Sequence, residues 1–334
     1  MSRRREDLVR LLADGREHSG EVLAESLNIS RAAVWKQVHM LADLGLHVRS
    51  ATGRGYQLDR RLDLLDVDVI EQQLAAVPWP ITRSLRVSFE CPSTNSELLE
   101  LLVREPPPPG LMDVLIAEYQ SCGRGRRGRS WLAPLASGLC LSVSWSFDGL
   151  PAQITSLGLI AGVAVAKALD AQGVPGVKLK WPNDLWIDDR KLGGILIEMR
   201  AEAAGPALVV IGIGINVDLP DAAATDIAQH GVPPIDLRAA CPGGIPSRTL
   251  LAARIVIELS QALRQFVDEG FAPFMGQWRQ RDALSGRVVR VLQADSIVDG
   301  RAHGIDDDGA LLVATAAGVC RQLSGDVTIR VAEA

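Results

Sequence analysis

The sequence predicts an α+β protein with more than one domain. Its 334 residues exceed the usual size of one domain, and 47% of them are hydrophobic, which allows a sizeable core. Stretches with helical periodicity gather near the start and in a few long segments, whereas the middle of the chain predicts consecutive strands with tight turns. This arrangement is typical of an α+β layer with an antiparallel or mixed sheet and argues against a Rossmann repeat.

The first 62 residues predict three short helices and a β-hairpin. The helices begin at Glu6, after Ser19 and after Ser30, and the two serines can cap the second and third of them. Val34, Val38 and Leu41 follow in the third helix at the spacing of a buried stripe. Two strands, at 46–49 and 56–58, enclose a glycine-tipped turn. This order is typical of a winged helix-turn-helix domain.

Such a domain places its third helix in the major groove of DNA and uses its wing against phosphates. The candidate DNA contacts are Ser30, Arg31, Trp35, Lys36 and Gln37 on the helix and Arg49 and Arg54 on the wing. Residues 1–62 carry a net charge of +3 and the remainder −8, which also favours a polyanionic partner for this part of the chain. A winged helix used for protein contact is the alternative interpretation.

Composition excludes several other classes of protein. No run of about 18 uncharged apolar residues occurs, so we expect no membrane span, and the N-terminus lacks the apolar stretch of a signal peptide. The five cysteines are scattered and form no C-x-x-C pair, which argues against a disulfide framework and a zinc site. We therefore expect a protein of the reducing cytoplasm.

The most distinctive stretch is residues 123–131, Gly-Arg-Gly-Arg-Arg-Gly-Arg-Ser-Trp, which we name the arginine loop. Glycines let backbone N–H groups approach a ligand closely, and guanidinium groups pair with carboxylate or phosphate oxygens. Trp131 adds a flat face for a base. The stretch therefore predicts a loop that wraps an anionic ligand, although a solvated basic loop or a nucleic-acid contact would have a similar composition.

Three further groups of residues accompany this loop. Ser93-Thr94-Asn95 follows a predicted strand at 85–90 and precedes a predicted helix at 96–104, which Thr94 or Asn95 can cap. Lys-Trp-Pro-Asn-Asp occupies 180–184, where Asn183 and Asp184 are predicted to form a turn, and Lys-Leu-Gly-Gly occupies 191–194. The cations are too many for a neutral ligand, and no Ser/His/Asp or Cys/His arrangement supports a nucleophilic side chain. The pattern favours a reaction that brings two anions together by positioning and charge.

The sequence contains no standard nucleotide-binding loop. Gly-Ile-Gly-Ile-Asn at 212–216 is not followed by a predicted helix, so it is not a dinucleotide fingerprint, and no P-loop motif occurs. After an irregular segment at 219–246 with one short helix, a strong amphipathic helix is predicted at 248–269. Short strands at 288–292, 296–303, 310–314 and 327–331 predict a small barrel. The expected domains are 1–62, 66–275 and 282–334.

The arginine loop, Lys180–Asp184 and Arg190–Ile195 resemble, in this order, the signature blocks of biotin protein ligases. With the winged helix in front, essentially the whole chain is similar to the bifunctional kind, which also represses the biotin operon. The resemblance implies a catalytic domain like that of class II synthetases and an SH3-like C-terminal domain. Pro92 departs from the family pattern, in which an acidic residue often precedes Ser-Thr-Asn.

The resemblance also implies the chemistry. The carboxylate of biotin attacks the α-phosphate of ATP, biotinoyl-5′-adenylate forms and pyrophosphate leaves. A lysine of a biotin carboxyl carrier protein then attacks the mixed anhydride.

By the same resemblance, the implied ureido-ring contacts are Ser93, Thr94, Asn95 and Gln120. Lys191 would neutralise the carboxylate oxygen, and Arg124, Gly125 and Arg126 would close over the adenylate. Trp131 would pack beside adenine, and Asn183 and Asp184 would orient the phosphates. Asp184 is in addition a candidate Mg²⁺ ligand, and Asn216 is a further candidate for contact with the nucleotide.

For regulation, we expect the adenylate to act as corepressor. An arginine loop ordered around it would favour a homodimer, whose two winged helices span two operator half-sites. Three alternatives remain open at this point: a lipoate or octanoate ligase, a biotin-sensing transcription factor without ligase activity, and a ligase without repressor activity.

Overall fold

The computed structural model describes residues 3–51, 55–201, 205–229, 233–292, 297–323 and 328–331. The N-terminal part contains helices α1 (Arg3–Leu12), α2 (Gly20–Ser26) and α3 (Arg31–His39), a 3-10 turn (Met40–Leu44) and the antiparallel strands β1 (Val48–Ala51) and β2 (Gly55–Leu58). The hydroxyls of Ser19 and Ser30 accept hydrogen bonds from the backbone N–H groups of Val22 and Ala33, as the capping pattern predicts. The wing residue Arg54 lies outside the described residues.

The central part is built around a seven-stranded mixed sheet. Its strands are β3 (Thr82–Cys91), β4 (Met112–Gln120), β5 (Gly138–Phe147), β6 (Lys178–Lys180), β7 (Asp184–Ile187), β8 (Arg190–Ala201) and β9 (Ala207–Asn216). Their order across the sheet is β3-β4-β5-β9-β8-β7-β6. The β3–β4 pair is parallel and each of the other neighbouring pairs is antiparallel. The predicted α+β layer with a mixed sheet is therefore confirmed.

The helices of this part cover the two faces of the sheet unequally. They are α4 (Val67–Ala75), α5 (Thr94–Arg104), α6 (Leu157–Ala171), α7 (Asp221–Gln229), α8 (Leu237–Ala240), α9 (Arg248–Glu269) and α10 (Ala272–Arg281). The main hydrophobic core contains side chains of α4, α6, α9 and α10 together with one face of the sheet. A smaller cluster joins Leu98 and Leu102 of α5 to Leu115 and Val210 on the opposite face. Beside α5, this second face is left for a site.

Among the described residues, one helical stretch, 154–171, is long and apolar enough to cross a membrane by length and composition. Within the fold 67% of it is buried. Ile160, Val163 and Ala164 of this stretch are at most 1% exposed, in the main core. The stretch is therefore accounted for as the central core helix.

The C-terminal part is a five-stranded antiparallel sheet. Its strands are β10 (Val288–Leu292), β11 (Ile297–Ile305), β12 (Leu311–Thr315), β13 (Gly318–Gln322) and β14 (Thr328–Val331), in the order β13-β12-β11-β10-β14. Strand β13 is absent from the prediction, and two predicted starting residues, Ser296 and Val327, lie outside the described residues. The indole N–H of Trp181 donates to the carbonyl of Gly309 at 2.9 Å, which ties this sheet to the central part.

Four local predictions are wrong. Ser93, not Thr94 or Asn95, caps α5, because its hydroxyl accepts from the N–H of Ser96, and helix α5 begins at Thr94. Segment 219–246 holds two short helices, one of which follows Gly212–Asn216 after a short turn. Helix α10 was not predicted, because Gly276 and the scattered aromatic residues obscure the helical repeat of hydrophobic residues. Asp184 belongs to β7 rather than to the preceding turn.

The N-terminal part packs directly on the central part. The backbone N–H of Leu135 donates to the carbonyl of Leu44 at 3.1 Å, and Leu135 and Phe89 share a buried cluster with the N-terminal helices. Arg60 donates to the carbonyl and to the carboxylate of Asp218, at 2.7 and 2.9 Å. Both contacts are to segments that adjoin the site described next.

Candidate functional site

The site lies on the second face of the sheet. Glycines on β8 and β9 leave the sheet surface there, which we call the floor, free of side chains. Gly214 pairs with Cys140 on β5 and with Gly194 on β8, and Gly194 pairs with Asp184 on β7. A methyl group on Gly214 would lie 2.4 Å from the ring of Trp131, and one on Gly212 would lie 2.1 Å from Asn95 Oδ1. Because both distances are far below van der Waals contact, only glycine admits these side chains to the floor.

A network of buried polar groups lies at one end of this floor. The backbone N–H of Thr94 donates to Gln120 Oε1 at 2.8 Å, which joins the start of α5 to the end of β4. Ser142 Oγ lies 2.7 Å from Thr94 Oγ1 and 2.6 Å from Asn95 Oδ1. Ser93, Thr94 and Asn95 are each at most 4% exposed. Packed polar groups of this kind suit a compact ligand with its own donors and acceptors.

The arginine loop folds over this face. Its ends are joined by a hydrogen bond from the N–H of Trp131 to the carbonyl of Gly123, and the N–H of Gly125 donates to the carbonyl of Arg129. Arg124 donates to Ser96 Oγ at 3.2 Å and pairs with Glu198 Oε1 at 2.9 Å. These contacts hold the first half of the loop to the polar network.

Arg126 anchors the loop at the opposite side of the floor. Its Nη1 donates to Asn183 Oδ1 at 3.1 Å, and the amide of Asn183 donates to the carbonyl of Ile195. Arg127 has a positive φ of 58°, a backbone conformation that side-chain-bearing residues adopt rarely, here at the tip of the loop. Two arginines thus span the site from the polar network to the end of β6.

Lys191 supplies the cation nearest the centre of the floor. Its Nζ lies 2.7 Å from Asp184 Oδ1 and 6.0 Å from the centre of the Trp131 ring. The side chains of Lys191 and Asp184 are 29% and 17% exposed, so the pair is partly screened from water. A methyl group on Gly194 would lie 3.4 Å from Lys191 Nζ, and the glycine therefore leaves the amine space to move.

Asn216 lies at the end of β9 and is 3% exposed. Its amide donates to the carbonyls of Lys191 and Ile235, at 3.2 and 3.1 Å. Both amide protons are therefore used within the protein. The structure places Asn216 behind Lys191, where it holds the backbone of that residue.

The cysteine thiols near the floor are held in their neutral form. Burial raises the pKa of the Cys140 thiol to about 11 and that of Cys91 to about 12. A protonated thiol is a poor nucleophile at neutral pH. Neither of these two buried thiols is therefore suited to act as a nucleophile.

The described residues do not fit a Mg²⁺ site built by the protein. Within the described ranges, no group of three His, Cys, Asp or Glu side chains could hold a metal. Asp184, the expected ligand, already pairs with Lys191. Magnesium prefers several oxygen ligands, and the two carboxylates of the site, Asp184 and Glu198, each pair with a cation of the protein.

The structure thus brings together nearly all of the site residues predicted from the sequence. Around one floor lie Ser93, Thr94, Asn95, Gln120, Arg124, Gly125, Arg126, Trp131, Asn183, Asp184, Lys191 and Asn216. Pro92 is exposed, and its carbonyl accepts the N–H of Cys122 at 2.9 Å, so the departure from the family pattern falls on a surface turn.

Sequence reasoning missed three contributors to the site: Ser142, Glu198 and the pair Gly212 and Gly214. Ser142 and Glu198 lie in the middle of strands, far in sequence from the motifs they contact. Alternation of glycines in Gly-Ile-Gly-Ile-Asn carried a usable signal, since it places both glycines on one face of a strand.

The predicted DNA-contacting residues lie apart from this site on α3. Ser30, Arg31, Trp35 and Lys36 are exposed, whereas Gln37 is half-buried. Trp35 is 56% exposed and its ring lies 4.0 Å from the ring of His39. The helix therefore presents polar and aromatic groups to solvent along its N-terminal half.

Family models match all three parts of the chain. The Biotin/lipoate A/B protein ligase family matches residues 89–216, an HTH domain matches residues 4–57, and the Biotin protein ligase C terminal domain matches residues 284–330. The first of these ranges contains almost every residue of the site.

Curated relatives match nearly from end to end. The bifunctional ligase/repressor BirA of Salmonella typhimurium is 37% identical over 98% of this chain and 97% of its own length. The protein of the same name from Bacillus subtilis is 30% identical over 97% and 98%. Among solved structures, the biotin protein ligase of Aquifex aeolicus in complex with biotin and ATP is 26% identical. It covers 75% of this chain and all of its own, with a TM-score of 0.60.

Proposed function

This chain belongs to the family of bifunctional biotin ligase/repressors, and from that premise we propose that it activates biotin with ATP and transfers it to a carrier protein. Biotinoyl-5′-adenylate is the intermediate, and a lysine of a biotin carboxyl carrier protein is the acceptor. The observation that carries this proposal is the Lys191–Asp184 pair, with Lys191 Nζ 6.0 Å from the Trp131 ring of the arginine loop, on the floor that has the network of Thr94 and Asn95 at its other end.

In the first step, a biotin carboxylate oxygen attacks the α-phosphorus of ATP, the P–O bond to the β-phosphate breaks and pyrophosphate leaves. Both reactants are anionic, so their approach needs compensating positive charge. Lys191 supplies it at the reacting oxygens, and Asp184 at 2.7 Å orients the amine. Ser93, Thr94, Asn95 and Gln120 hold the ureido ring at the other end of the floor.

The arginine loop has two tasks in this scheme. Arg124 and Arg126, with the backbone at Gly125, contact the carboxylate and phosphate oxygens, and Trp131 forms a wall beside the nucleotide. The closed loop also excludes water from the mixed anhydride, which water would hydrolyse. Asn183 anchors the loop through Arg126, and Asn216 contributes indirectly by fixing the backbone of Lys191.

In the second step, the ε-amine of the carrier lysine attacks the acyl carbon, the acyl–phosphate bond breaks and AMP leaves. Lys191 stabilises the negative charge that develops on oxygen in this step as well. Mg²⁺ is expected to accompany ATP as a phosphate-bound ion, and none of the roles above depends on a metal held by Asp184.

The direct test is mass spectrometry of the purified protein with biotin and MgATP. We expect biotinoyl-5′-adenylate and pyrophosphate, and biotinylation of a carrier domain but not of one whose acceptor lysine is replaced by arginine. Lys191→Ala should abolish the product, whereas Lys178→Ala, which removes an exposed lysine of β6, should retain it. Product with octanoate in place of biotin would assign the chain to lipoate-type ligases.

For the repressor activity, we propose that the adenylate acts as corepressor and that the adenylate-bound chain is a homodimer in the cytoplasm. The exposed residues Ser30, Arg31, Trp35 and Lys36 support a DNA contact through α3, in which the half-buried Gln37 also takes part. Arg49 and Arg54 of the wing are proposed for the phosphates. Selection of bound duplexes from a random pool, with and without biotin and MgATP, tests this. Equal recovery in both conditions would contradict corepression.

We also propose the finer fold assignments. Residues 1–62, 66–275 and 282–334 form the three domains, the second resembles class II synthetases, and the third is an SH3-like barrel. The antiparallel order β13-β12-β11-β10-β14 supports the last assignment. Helix α10, whose Phe274 and Trp278 are 1% exposed in the main core, crosses the proposed end of the second domain.

A further inference from the structure

Glu198, on β8, connects the arginine loop with the polar network of Asn95. One of its carboxylate oxygens, Oε1, pairs with Arg124 of the arginine loop at 2.9 Å. The other, Oε2, accepts from Asn95 Nδ2 at 3.0 Å. On the premise of the proposed function, we propose that Glu198 is a positioning residue for the ligation reaction, which orients Asn95 and holds the arginine loop over biotin.

The carboxylate fixes the direction of the Asn95 amide. Asn95 Nδ2 donates to Glu198 and to the carbonyl of Leu196, so Oδ1 must face the hydroxyl of Ser142. Since an asparagine amide presents a donor at one end and an acceptor at the other, a reversed amide would place a donor in the hydroxyl network. Glu198 therefore determines the pattern of donors and acceptors that the network offers to a ligand.

The same carboxylate anchors the first half of the arginine loop. The side chain of Arg124 is 50% exposed and that of Glu198 is 18% exposed. The ion pair is therefore shielded from solvent on the side that faces the sheet. Arg124 has one other described contact, to Ser96 Oγ at 3.2 Å. Hydrogen bonds to a charged group are stronger than neutral ones, and the carboxylate is therefore the stronger of the two anchors.

Glu97 provides a matched control on the neighbouring helix. It pairs with Arg86 at 2.6 Å and is 33% exposed, and neither partner contacts the arginine loop in the described structure. Glu97→Gln thus removes a comparable Glu–Arg pair near the site but outside the network. Glu198→Gln keeps the shape of the side chain, but it replaces one oxygen by an amide that cannot pair with a guanidinium.

The experiment compares wild type, Glu198→Gln and Glu97→Gln in two assays. Trypsin cleavage within the arginine loop, measured by mass spectrometry without substrates, should be about tenfold faster in Glu198→Gln, since loss of one charged hydrogen bond frees the loop. The KM for biotin in adenylate formation should rise about tenfold with kcat changed by less than about twofold, because ground-state and transition-state binding weaken together. Glu97→Gln should match wild type in both assays.

Cleavage and biotin KM unchanged in Glu198→Gln would overturn the assignment, as would a change in only one of them or an equal change in Glu97→Gln. Failure of the wild type to form adenylate would refute the proposed function instead. In that case the cleavage assay alone decides whether Glu198 anchors the loop.

Discussion

Two glycines on β9 leave the space that two side chains of the site occupy. The ring of Trp131 packs against Gly214, and its nearest atom would lie 2.4 Å from a methyl group added there. The side chain of Asn95 packs against Gly212 in the same way. The alternation in Gly-Ile-Gly-Ile-Asn is therefore a packing requirement of the site, and the isoleucines between the glycines point into the main core.

We predict that Gly214→Ala lowers the rate of adenylate formation at least about tenfold while leaving the fold intact, because a ring displaced by about 1 Å no longer lines the site. Pyrophosphate exchange into ATP measures the rate, and thermal unfolding reports on the fold. Gly149→Ala is the control, since a methyl group there meets no atom within 4 Å. Wild-type exchange in Gly214→Ala would show that the position of Trp131 does not matter.

At the residue scale, sequence motifs located the site but not all of its parts. The contiguous blocks at 93–95, 123–131 and 180–184 could be recognised because their members are neighbours in sequence. Ser142 and Glu198 could not, since each lies within an ordinary strand and meets the motifs only through side-chain contacts between residues far apart in sequence. The cap of α5 was misplaced because Ser93, Thr94 and Asn95 are all good capping residues, and only the backbone conformation separates them.

At the scale of elements, a buried arginine joins four segments near the end of the site. Arg248, at the start of α9, donates to Glu118 Oε2 on β4 at 2.7 Å and to the carbonyl of Gly138 on β5. It also donates to the carbonyl of Asp63 in the linker that follows the N-terminal part. Arg248 and Glu118 side chains are each 1% exposed. Nothing in the sequence distinguished this arginine from a surface one.

We predict that Glu118→Gln destabilises the protein by about 3 to 5 kcal/mol, since the buried guanidinium loses its compensating charge. Urea unfolding followed by far-UV circular dichroism measures the change. The double variant Glu118→Gln/Arg248→Met should be less destabilised than Glu118→Gln alone, because it removes both buried charges. Additive losses in the double variant would show that the two side chains act independently.

A second element-scale prediction concerns Asp282, between α10 and the C-terminal sheet. Burial raises the pKa of its carboxyl to about 6, and the backbone N–H of Leu284, which donates to Oδ1 at 2.8 Å, opposes that rise only partly. In the folded chain the ionised form is therefore disfavoured. The resulting loss of stability is absent below about pH 4, grows as the pH rises to about 6, and is constant above that.

We therefore predict that Asp282→Asn raises the free energy of unfolding by about 1 to 2 kcal/mol near pH 7.5 and leaves it nearly unchanged near pH 4. Chemical denaturation of both proteins across this range provides the measurement. The pair Arg290–Asp299 is fully exposed, so Asp299→Asn serves as a surface control. A difference between Asp282→Asn and wild type that does not vary with pH would contradict the assignment.

At the scale of the whole molecule, the N-terminal part contacts the two chain segments that leave the site. Segment 133–137 continues from the arginine loop, and its Leu135 bonds to Leu44 behind α3. Asp218 follows Asn216 at the end of β9 and receives Arg60. The same two segments are bonded to each other, because Ser137 accepts from the N–H groups of Val217 and Asp218. A structural change in the arginine loop can therefore be transmitted to the winged helix through these hydrogen-bonded backbone segments.

The sequence predicted the order of the three parts of the chain but not these contacts. Periodicity is a local property, so it identified the helices of the winged domain and the strands of the sheet. The contact of Leu44 with Leu135 joins residues about 90 positions apart, for which neither stretch has a local signature. Function at this scale depends on such distant pairs.

From this geometry we predict that Arg60→Met reduces the gain in DNA affinity produced by biotin and MgATP, while adenylate formation stays within about twofold of wild type. Among the described residues, the arginine contacts Asp218 and no side chain of the site, so its loss weakens the coupling between the sites and not the chemistry. Because coupling is reciprocal, DNA should also lose its effect on the affinity of the variant for adenylate. Mobility-shift titrations with a selected duplex measure the first effect, and Arg290→Met, which breaks an exposed pair in the C-terminal sheet, is the control. An unchanged gain in Arg60→Met would mean that the adenylate signal does not pass through this contact, and the contact of Leu135 in the segment after the arginine loop would be tested next.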